Sequence, residues 1–381
     1  MLTAEGCASR RTRLWKQLPG PCDFLIVSDP SHLIYLANYV PSPFVFRTVE
    51  SGAHLLLEPG RSILVADDML GPFVKAAHVD ERVTPTWYDG QHAAPHRLDK
   101  LVKSTLDRLK SIPGKRVGIE SGSVPAGIIE GMRSGRGGLE LVDIGPSIRT
   151  MRRSKDADEL AVLRQAIAAG DAAHAAVLAE LRPGMTELDA YLIVRRAAEA
   201  KLGHAAIVYG DFASGRRCET EHGGPPTLRR IEKGDLIILD FSVIVDGYRG
   251  DFTNTFAVGG GPSQEQENLF DACLKAMAAG ESRLKAGNHA RDVDAAVRES
   301  FASRNLLEYF PSHSGHGIGL GHPEPPYFVP ESGETLAAGD VVAIEPGLYV
   351  DGVGGMRIER NYLVTENGYE TLSHHDIRIR Q

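Results

Sequence analysis

The stretch LIILDFSVIVDGYRGDFTNTF, residues 236–256, decides how the second half of the chain folds. Its Asp246-Gly247 pair lies between two runs rich in β-branched and aromatic residues. That arrangement signals a two-residue hairpin, because both central residues of such a turn need positive φ. A turn there pairs residue 242 with 251. The two-residue period of a strand then puts Asp240 on the face of Ser242, so Asp240 and Asp251 become diagonal neighbours, roughly 7 to 8 Å apart at the backbone. Ile237, Leu239, Phe241, Val243 and Val245 take the opposite face and pack.

Two carboxylates side by side on a largely buried ribbon carry a large desolvation cost unless something positive lies between them. Either aspartate alone reads as a solvated residue on the wet face of an antiparallel sheet. The downstream sequence shifts the balance. Glu345 ends the apolar run VVAIE, and Glu359 lies in MRIERNYLV, read as one strand with Glu359 on the face of Arg357. His316 stands in SGHGIGLGH, residues 314–322, whose alternating glycines are expected to let the backbone approach metals and substrate. A phosphate cradle would need the Lys-Ser or Lys-Thr of a Walker loop or the acidic partner of a dinucleotide fingerprint, and neither accompanies this run.

Asp240, Asp251, His316, Glu345 and Glu359 form an oxygen-rich set with a single imidazole. Such a set suits two divalent cations bridged by carboxylates, with manganese, cobalt, iron and zinc all open. Two cations sharing a water lower its pKa and polarise the bond under attack, so the expected chemistry is hydrolysis.

The rest of the chain bounds this reading. At 381 residues it exceeds the length at which one hydrophobic core usually stops growing, so two domains are expected. With 42% hydrophobic and 24% charged residues it has the composition of a soluble globular protein. A formal charge of -8 gives no general attraction to phosphate backbones or anionic lipid, which argues against nucleic acid or a membrane as a partner. Cys7, Cys22, Cys218 and Cys273 are scattered without a CxxC pair, as suits reduced thiols in the cytoplasm. No apolar run reaches membrane-spanning length, and MLTAEGCASRRTRLW lacks the apolar core of a signal peptide, so a cytoplasmic protein is expected.

The first 150 or so residues alternate strands and helices. DFLIVSD (23–29), AHLLLEPGRSILVADD (53–68, two strands around Pro-Gly) and RVGIE (116–120) read as strands, and residues 95–111 as a helix. From residue 157 a long helix is expected, followed by a second one capped by Thr186, and two more lie near 263–285 and 290–304. The domain boundary falls near residue 152, where the basic segment IRTMRRSKD leads into the first of these helices.

Asp240 and Asp251 at a spacing of eleven, GHGIG around His316, EPG with Glu345 and RIE with Glu359 resemble, in order, the five metal ligands of the creatinase, Xaa-Pro peptidase and methionine aminopeptidase superfamily. FLIVSDPSHLIYLANY looks like the start of the creatinase-type N-terminal domain, which methionine aminopeptidases generally lack. The resemblance therefore points to the creatinase and Xaa-Pro peptidase branch. It implies an α+β fold with a creatinase-type α/β domain over residues 1–151 and a pita-bread catalytic domain, built on antiparallel sheet, over 152–381. It implies a homodimer that cleaves a small proline-containing peptide through a hydroxide bridging two divalent metal ions, manganese first among them. By the same resemblance Glu345 would accept the proton of the attacking water. Arg357 would brace the ligands through charge-assisted hydrogen bonds, and His222, eighteen residues before Asp240, would contact the scissile group.

One part of the pattern departs. The branch usually carries accessory histidines four residues before and seven after the ligand histidine, but Ser312 and Pro323 stand there, with His313 and His322 each one residue off. In a strand, a one-residue offset turns a side chain to the other face. Either local bulges return both histidines to the site, with His322 joining the catalytic residues, or the pocket serves a non-peptide C–N bond, as in creatinase-like or ectoine-hydrolase-like members. A non-catalytic binding module is the third reading, and the presence of all five ligand types argues against it.

Overall fold

The computed structural model describes residues 1–93, 96–220 and 223–381. They divide into two compact units, Met1–Arg152 and Arg153–Gln381. No helix among the described residues is long and apolar enough to cross a membrane.

The first unit is built on six strands: β1 (Phe24–Val27), β2 (Ala53–Glu58), β3 (Arg61–Ala66), β4 (Glu81–Val83), β5 (Arg116–Ile119) and β6 (Glu140–Asp143), in the sheet order β4-β3-β2-β1-β5-β6. β1 runs antiparallel to β2 and parallel to β5. All four residues of β1 are buried, as expected of a central strand covered on both faces. Helices α1 (Ala4–Lys16), α2 (Pro30–Ala37), α3 (Gly71–Ala76), α4 (Arg97–Leu109), α5 (Ala126–Gly135) and α6 (Gly145–Met151) connect and cover the strands. One core joins Phe24, Ile26, Leu56, Ile63 and Val117 of the sheet to Leu101 and Leu109 of α4 and Ile128 and Met132 of α5.

The second unit opens with α7 (Ala157–Glu180) and α8 (Glu187–Leu202). Thr186 caps α8 as its sequence predicts: the hydroxyl accepts from the Asp189 N–H at 3.1 Å, and the Asp189 carboxylate accepts from the Thr186 N–H at 2.7 Å. Strands β7 (Ile207–Ser214), β8 (Leu236–Val245) and β9 (Tyr248–Ala257) form an antiparallel three-stranded sheet. The β8–β9 turn has φ of 48° at Asp246 and 86° at Gly247, and it sets Ser242 opposite Asp251. On the packing face, Phe241 stacks against Phe212 and Phe252. Helix α7 rests on this face through Gly170, where a Cβ would fall 2.0 Å from the Phe252 ring.

Helices α9 (Gln264–Glu281) and α10 (Ala290–Ala302) follow, and then β10 (Gly315–Gly317), β11 (Glu324–Phe328), β12 (Val341–Ile344), β13 (Gly347–Val350), β14 (Gly354–Arg357), β15 (Arg360–Thr365) and β16 (Gly368–Thr371). The five-stranded sheet runs β11-β10-β12-β15-β16, and β13 pairs with β14. Val293, Val297 and Phe301 of α10 pack in one core with Phe328, Val342 and Ile344.

The reading of MRIERNYLV as one strand is corrected here. β14 ends at Arg357 and β15 begins at Arg360. The reason lies in the pairing: β14 hydrogen-bonds to β13 whereas β15 joins β12, so the chain changes ladders at Ile358 and Glu359. The Glu359 N–H donates to the Thr253 carbonyl at 2.9 Å, which ties this link to β9.

Because Phe252 is fully buried and cannot swing away, adding a side chain at Gly170 forces α7 off the sheet. Gly170→Val should destabilise the protein by about 1–3 kcal/mol, the usual range for overpacking a tight core. Urea unfolding followed by circular dichroism measures the shift, and an unchanged midpoint would contradict this packing.

Candidate metal centre

The registers of the three-stranded sheet place two rows of polar residues on the face opposite the phenylalanines. One row is Asp211, Asp240 and Thr253, and the next is Tyr209, Ser242 and Asp251. Asp251 is only 3% exposed. Its Oδ1 accepts from the Ser242 hydroxyl at 2.8 Å, and its Oδ2 lies 2.6 Å from His322 Nε2. The backbone of Asp251 is clamped by Asn361 of β15, whose Oδ1 accepts from the Asp251 N–H and whose side-chain amide donates to the Asp251 carbonyl.

His316 enters from β10, between β11 and β12. The glycines beside it do something other than the sequence suggested. A Cβ on Gly315 would meet the Ala343 carbonyl oxygen at 2.1 Å, and one on Gly317 would meet the Pro325 carbonyl oxygen at 2.3 Å. They allow neighbouring strands to approach, which holds the His316 strand in place; the close approach is to backbone and not to the candidate centre. His316 Nδ1 donates to the Gly317 carbonyl at 3.0 Å. A carbonyl can only accept, so Nδ1 carries a proton, and Nε2, which faces Glu345 and Asp251, is the nitrogen that would give up its proton to ligate a metal.

That Nε2 lies 3.1 Å from Glu345 Oε1 and 3.9 Å from Asp251 Oδ2. Glu345 follows directly on β12, and its N–H donates to the Ser314 carbonyl at 3.0 Å. Glu359, 1% exposed, accepts from the Thr253 hydroxyl at 2.9 Å through Oε2, while its buried Oε1 has no hydrogen-bond partner among the described residues. Donor atoms fall within 4.8 Å of one another in three overlapping triplets: Asp240, Asp251 and Glu359; His316, Glu345 and Glu359; and Asp251, His316 and His322. The five side chains predicted to converge do so.

The two displaced histidines also reach this place. The pairing of β10 with β11 shifts register between His316 and Gly317, so strand counting does not carry from His316 to His322, and His313 lies before β10 begins. His322 then meets Asp251, and His313 Nδ1 lies 3.5 Å from Glu345 Oε1. Arg357 pairs closely with Asp240, lies 3.5 Å from Asp211 and donates to the Tyr349 hydroxyl at 2.9 Å. His222 lies outside the described residues.

Several residues at the centre were not singled out from the sequence. Ser242 was already paired with residue 251 by the hairpin register, and that pairing alone would have found it. Thr253 stands opposite Asp240 in that same register and Tyr349 reaches Arg357 across the β13–β14 pair, whereas Asp211 and Asn361 depend on pairings between distant strands, which no local pattern carries.

Comparison with known proteins follows the same lines. Residues 161–366 match metallopeptidase family M24, and residues 18–154 match the creatinase/prolidase N-terminal domain. The chain is 33% identical over 282 residues to the Xaa-Pro dipeptidase of Pyrococcus horikoshii, covering 73% of this chain and 76% of that one. It is 32% identical over 274 residues to an uncharacterized peptidase, YqhT, of Bacillus subtilis, covering 72% and 77%. Among solved structures it resembles the Xaa-Pro dipeptidase from Bacillus anthracis with a TM-score of 0.83 and 26% identity, over 98% of this chain and 100% of that one.

The electrostatics fit divalent cations. Burial, only partly offset by Arg357 and reinforced by Asp251, Glu345 and Asp211, pushes the Asp240 carboxyl up to about 7. Burial and the neighbouring carboxylates push Glu359 well above the usual range. Asp251 goes the other way: burial opposes its charge, but the His322 hydrogen bond and the charges of His322 and His316 bring it down to about 2. His316 rises to about 9, because Glu345 and Asp251 outweigh its own burial. When ionised, the four acids carry more negative charge than Arg357 and His316 neutralise, and the buried Glu359 Oε1 has no hydrogen-bond partner among the described residues.

A pH dependence follows. Asp240 is protonated more readily folded than unfolded, so its contribution to stability is present below about pH 4 and is lost as pH rises through about 7; His316 extends the loss toward 9. Divalent ions compete with protons for these groups. The chelated protein should lose thermal stability from pH 6 to pH 8, and manganese should raise the unfolding temperature more at pH 8 than at pH 6. An equal or smaller rise at pH 8 would mean that these groups do not hold the ion.

Proposed function

The chain belongs to metallopeptidase family M24, and from that premise we propose that it is an Xaa-Pro peptidase, a dinuclear metallohydrolase that cleaves small proline-containing peptides. The observation that carries the proposal is the convergence of Asp240, Asp251, His316, Glu345 and Glu359 from three separate strand systems. These five are the proposed ligands of two divalent cations, manganese first among the candidates. The substrate is carried over from the relatives named Xaa-Pro dipeptidase. The position of both offset histidines beside the centre favours a peptide over the creatinase-like alternative, since both reach the acids despite the one-residue offset that raised that alternative.

When bound, two divalent cations would supply an acidified water and a polarised scissile carbonyl. The protein groups then divide the remaining work. Glu345 is the proposed proton acceptor. Burial acts against its charge, but the His316 hydrogen bond and the charges of His316, His313 and Arg357 hold it below its ordinary value and keep it ionised to receive a proton. His322, with a third of its side chain open, and His222 are proposed to face the substrate and to hydrogen-bond the scissile group as charge develops there. Arg357, braced by Tyr349, holds Asp240 in one orientation. Ser242 and Thr253 do the same for Asp251 and Glu359. The proposal includes a cytoplasmic homodimer. Its basis is the family resemblance and, for the compartment, four cysteines scattered without a CxxC pair, which suit reducing surroundings.

Asp251→Ala should lower bound metal by one equivalent and cut kcat/KM on an Xaa-Pro dipeptide by at least about a hundredfold, since a proposed ligand is lost. Thr253→Val, which removes only the hydrogen bond to Glu359, should cost about 10- to 100-fold. Metal analysis and assays on a panel of Xaa-Pro peptides and small non-peptide amides test this. Full activity in the Asp251 variant, or turnover of amides alone, would overturn the proposal.

A further inference from the structure

His322 stands in the connection between β10 and β11, residues 318–323, which has no helix or strand of its own. No ladder therefore fixes its shape, and its hold on the rest of the unit comes from single bonds. The Gly319 carbonyl accepts from the Arg249 N–H of β9 at 3.0 Å. The Gly321 N–H, one residue before His322, donates to Glu324 Oε2 at 3.0 Å. The other oxygen of the same carboxylate accepts from Lys155 Nζ at 2.9 Å.

Lys155 is itself fixed. It belongs to the segment that enters the catalytic unit, and three bonds tie that segment to the residues leading into β12. Arg153 pairs with Asp340 at 2.7 Å, the Ser154 hydroxyl donates to the Ala338 carbonyl at 2.8 Å, and the Lys155 N–H donates to the Gly339 carbonyl at 2.9 Å. The loop lies directly on the Lys155–Glu324 pair, because a Cβ on Gly319 would fall 2.5 Å from Glu324 Oε1 and 3.0 Å from Lys155 Cε.

Stability alone does not account for this pair. The Lys155 side chain is 1% exposed and that of Glu324 is 8% exposed, and two charges so deeply buried lose as much by desolvation as they gain by attraction, so apolar residues of the same volume would serve the core as well. What the carboxylate adds is direction. With one oxygen on a fixed ammonium, the other is aimed at Gly321, and the ring that follows is delivered with Nε2 2.6 Å from Asp251 Oδ2.

We propose that Lys155 and Glu324 are positioning residues, a buried ion pair that fixes the β10–β11 connection so that His322 is held against the candidate centre and toward the scissile group. This inference rests on the Xaa-Pro reading above, in which His322 faces the substrate. A misplacement of about 1 Å at a reacting group is enough to cost roughly a hundredfold in rate, so a loop without a ladder needs such a fixture.

The test uses the manganese-loaded enzyme as wild type, Lys155→Met/Glu324→Gln, Gly319→Ala, His322→Ala, and each of the first two changes combined with His322→Ala. The paired substitution removes both charges and so leaves neither unmatched, whereas Gly319→Ala keeps both and crowds them. Amide hydrogen exchange over residues 319–322 is followed by mass spectrometry, and kcat and KM are measured on Ala-Pro. In both variants exchange should quicken at least about tenfold and kcat should fall at least about tenfold, with manganese content unchanged. With His322→Ala already in place, either change should cost less than about threefold more, because the group being positioned is gone. Unchanged exchange, faster exchange with unchanged kcat, or an equal loss with and without His322 would each overturn the inference. If the paired variant does not fold, Gly319→Ala decides by the same criteria. If wild type cleaves no Xaa-Pro peptide yet exchange over 319–322 quickens in the variants, the fixture stands and the Xaa-Pro reading falls.

Discussion

In the hairpin of β8 and β9, two left-handed residues, Asp246 and Gly247, fix which residues oppose one another over ten positions of each strand. The rest of the catalytic unit follows from that register. A slip of one residue would turn Asp240 and Asp251 toward the face occupied by Phe241 and Phe252, against α7. The slip is prevented twice, by the turn and by the packing, because the same face that excludes carboxylates is filled by stacked phenylalanines. The acids are confined to the other face by the same hydrophobic constraint that folds the sheet. Stability and placement of the candidate centre therefore have one cause.

Confinement creates a second constraint. Asp240, Asp251, Glu345 and Glu359 approach one another from three strand systems, and each is held by groups that leave at least one oxygen pointing inward. Arg357 settles Asp240 and His322 settles Asp251, but among the described residues Glu359 has only the Thr253 hydroxyl. Without further positive charge the fold must keep protons on some of these acids, and with cations it need not. The polar residues behind the acids, Ser242, Thr253, Asn361 and Tyr349, keep the carboxylates at fixed separations in either case.

Much of this was legible in the sequence because the decisive signals were local. An Asp-Gly turn with a known period on either side yields register by counting, and a helix cap such as Thr186 is a three-residue pattern. What escaped was non-local. Glu359 could not be assigned to the link between β14 and β15 without knowing that those strands belong to different sheets. The glycines around His316 looked like an approach to a ligand, and only the strands on either side, with Ala343 and Pro325 in contact distance, reveal what they accommodate. His313 and His322 looked displaced because counting assumes an unbroken ladder, whereas the ladder shifts register after His316 and His313 lies before β10 begins. The IRTMRRSKD segment looked like a basic linker. Its Arg153 and Lys155 are paired with Asp340 and Glu324, and Lys155 is almost fully buried.

Arg249 and Arg357 show how far residue type alone falls short. Both stand on or beside the same acidic centre, and both are arginines on strands. Arg357 is buried, and its charge is used up within the protein by Asp240 and Asp211. A buried cation of this kind is structural, since removing either partner would leave an uncompensated charge in a medium that solvates it poorly. Arg249 is half-buried and held by a hydroxyl and an aromatic ring, partners that orient a guanidinium without neutralising it. A lysine would lack the planar fork that lets one face lie on Tyr209 while the edge stays available. The distinction between a cation neutralised within the protein and one held by neutral groups thus lies in the neighbours, and those of Arg249 are set by the register of β7 and β9 on β8.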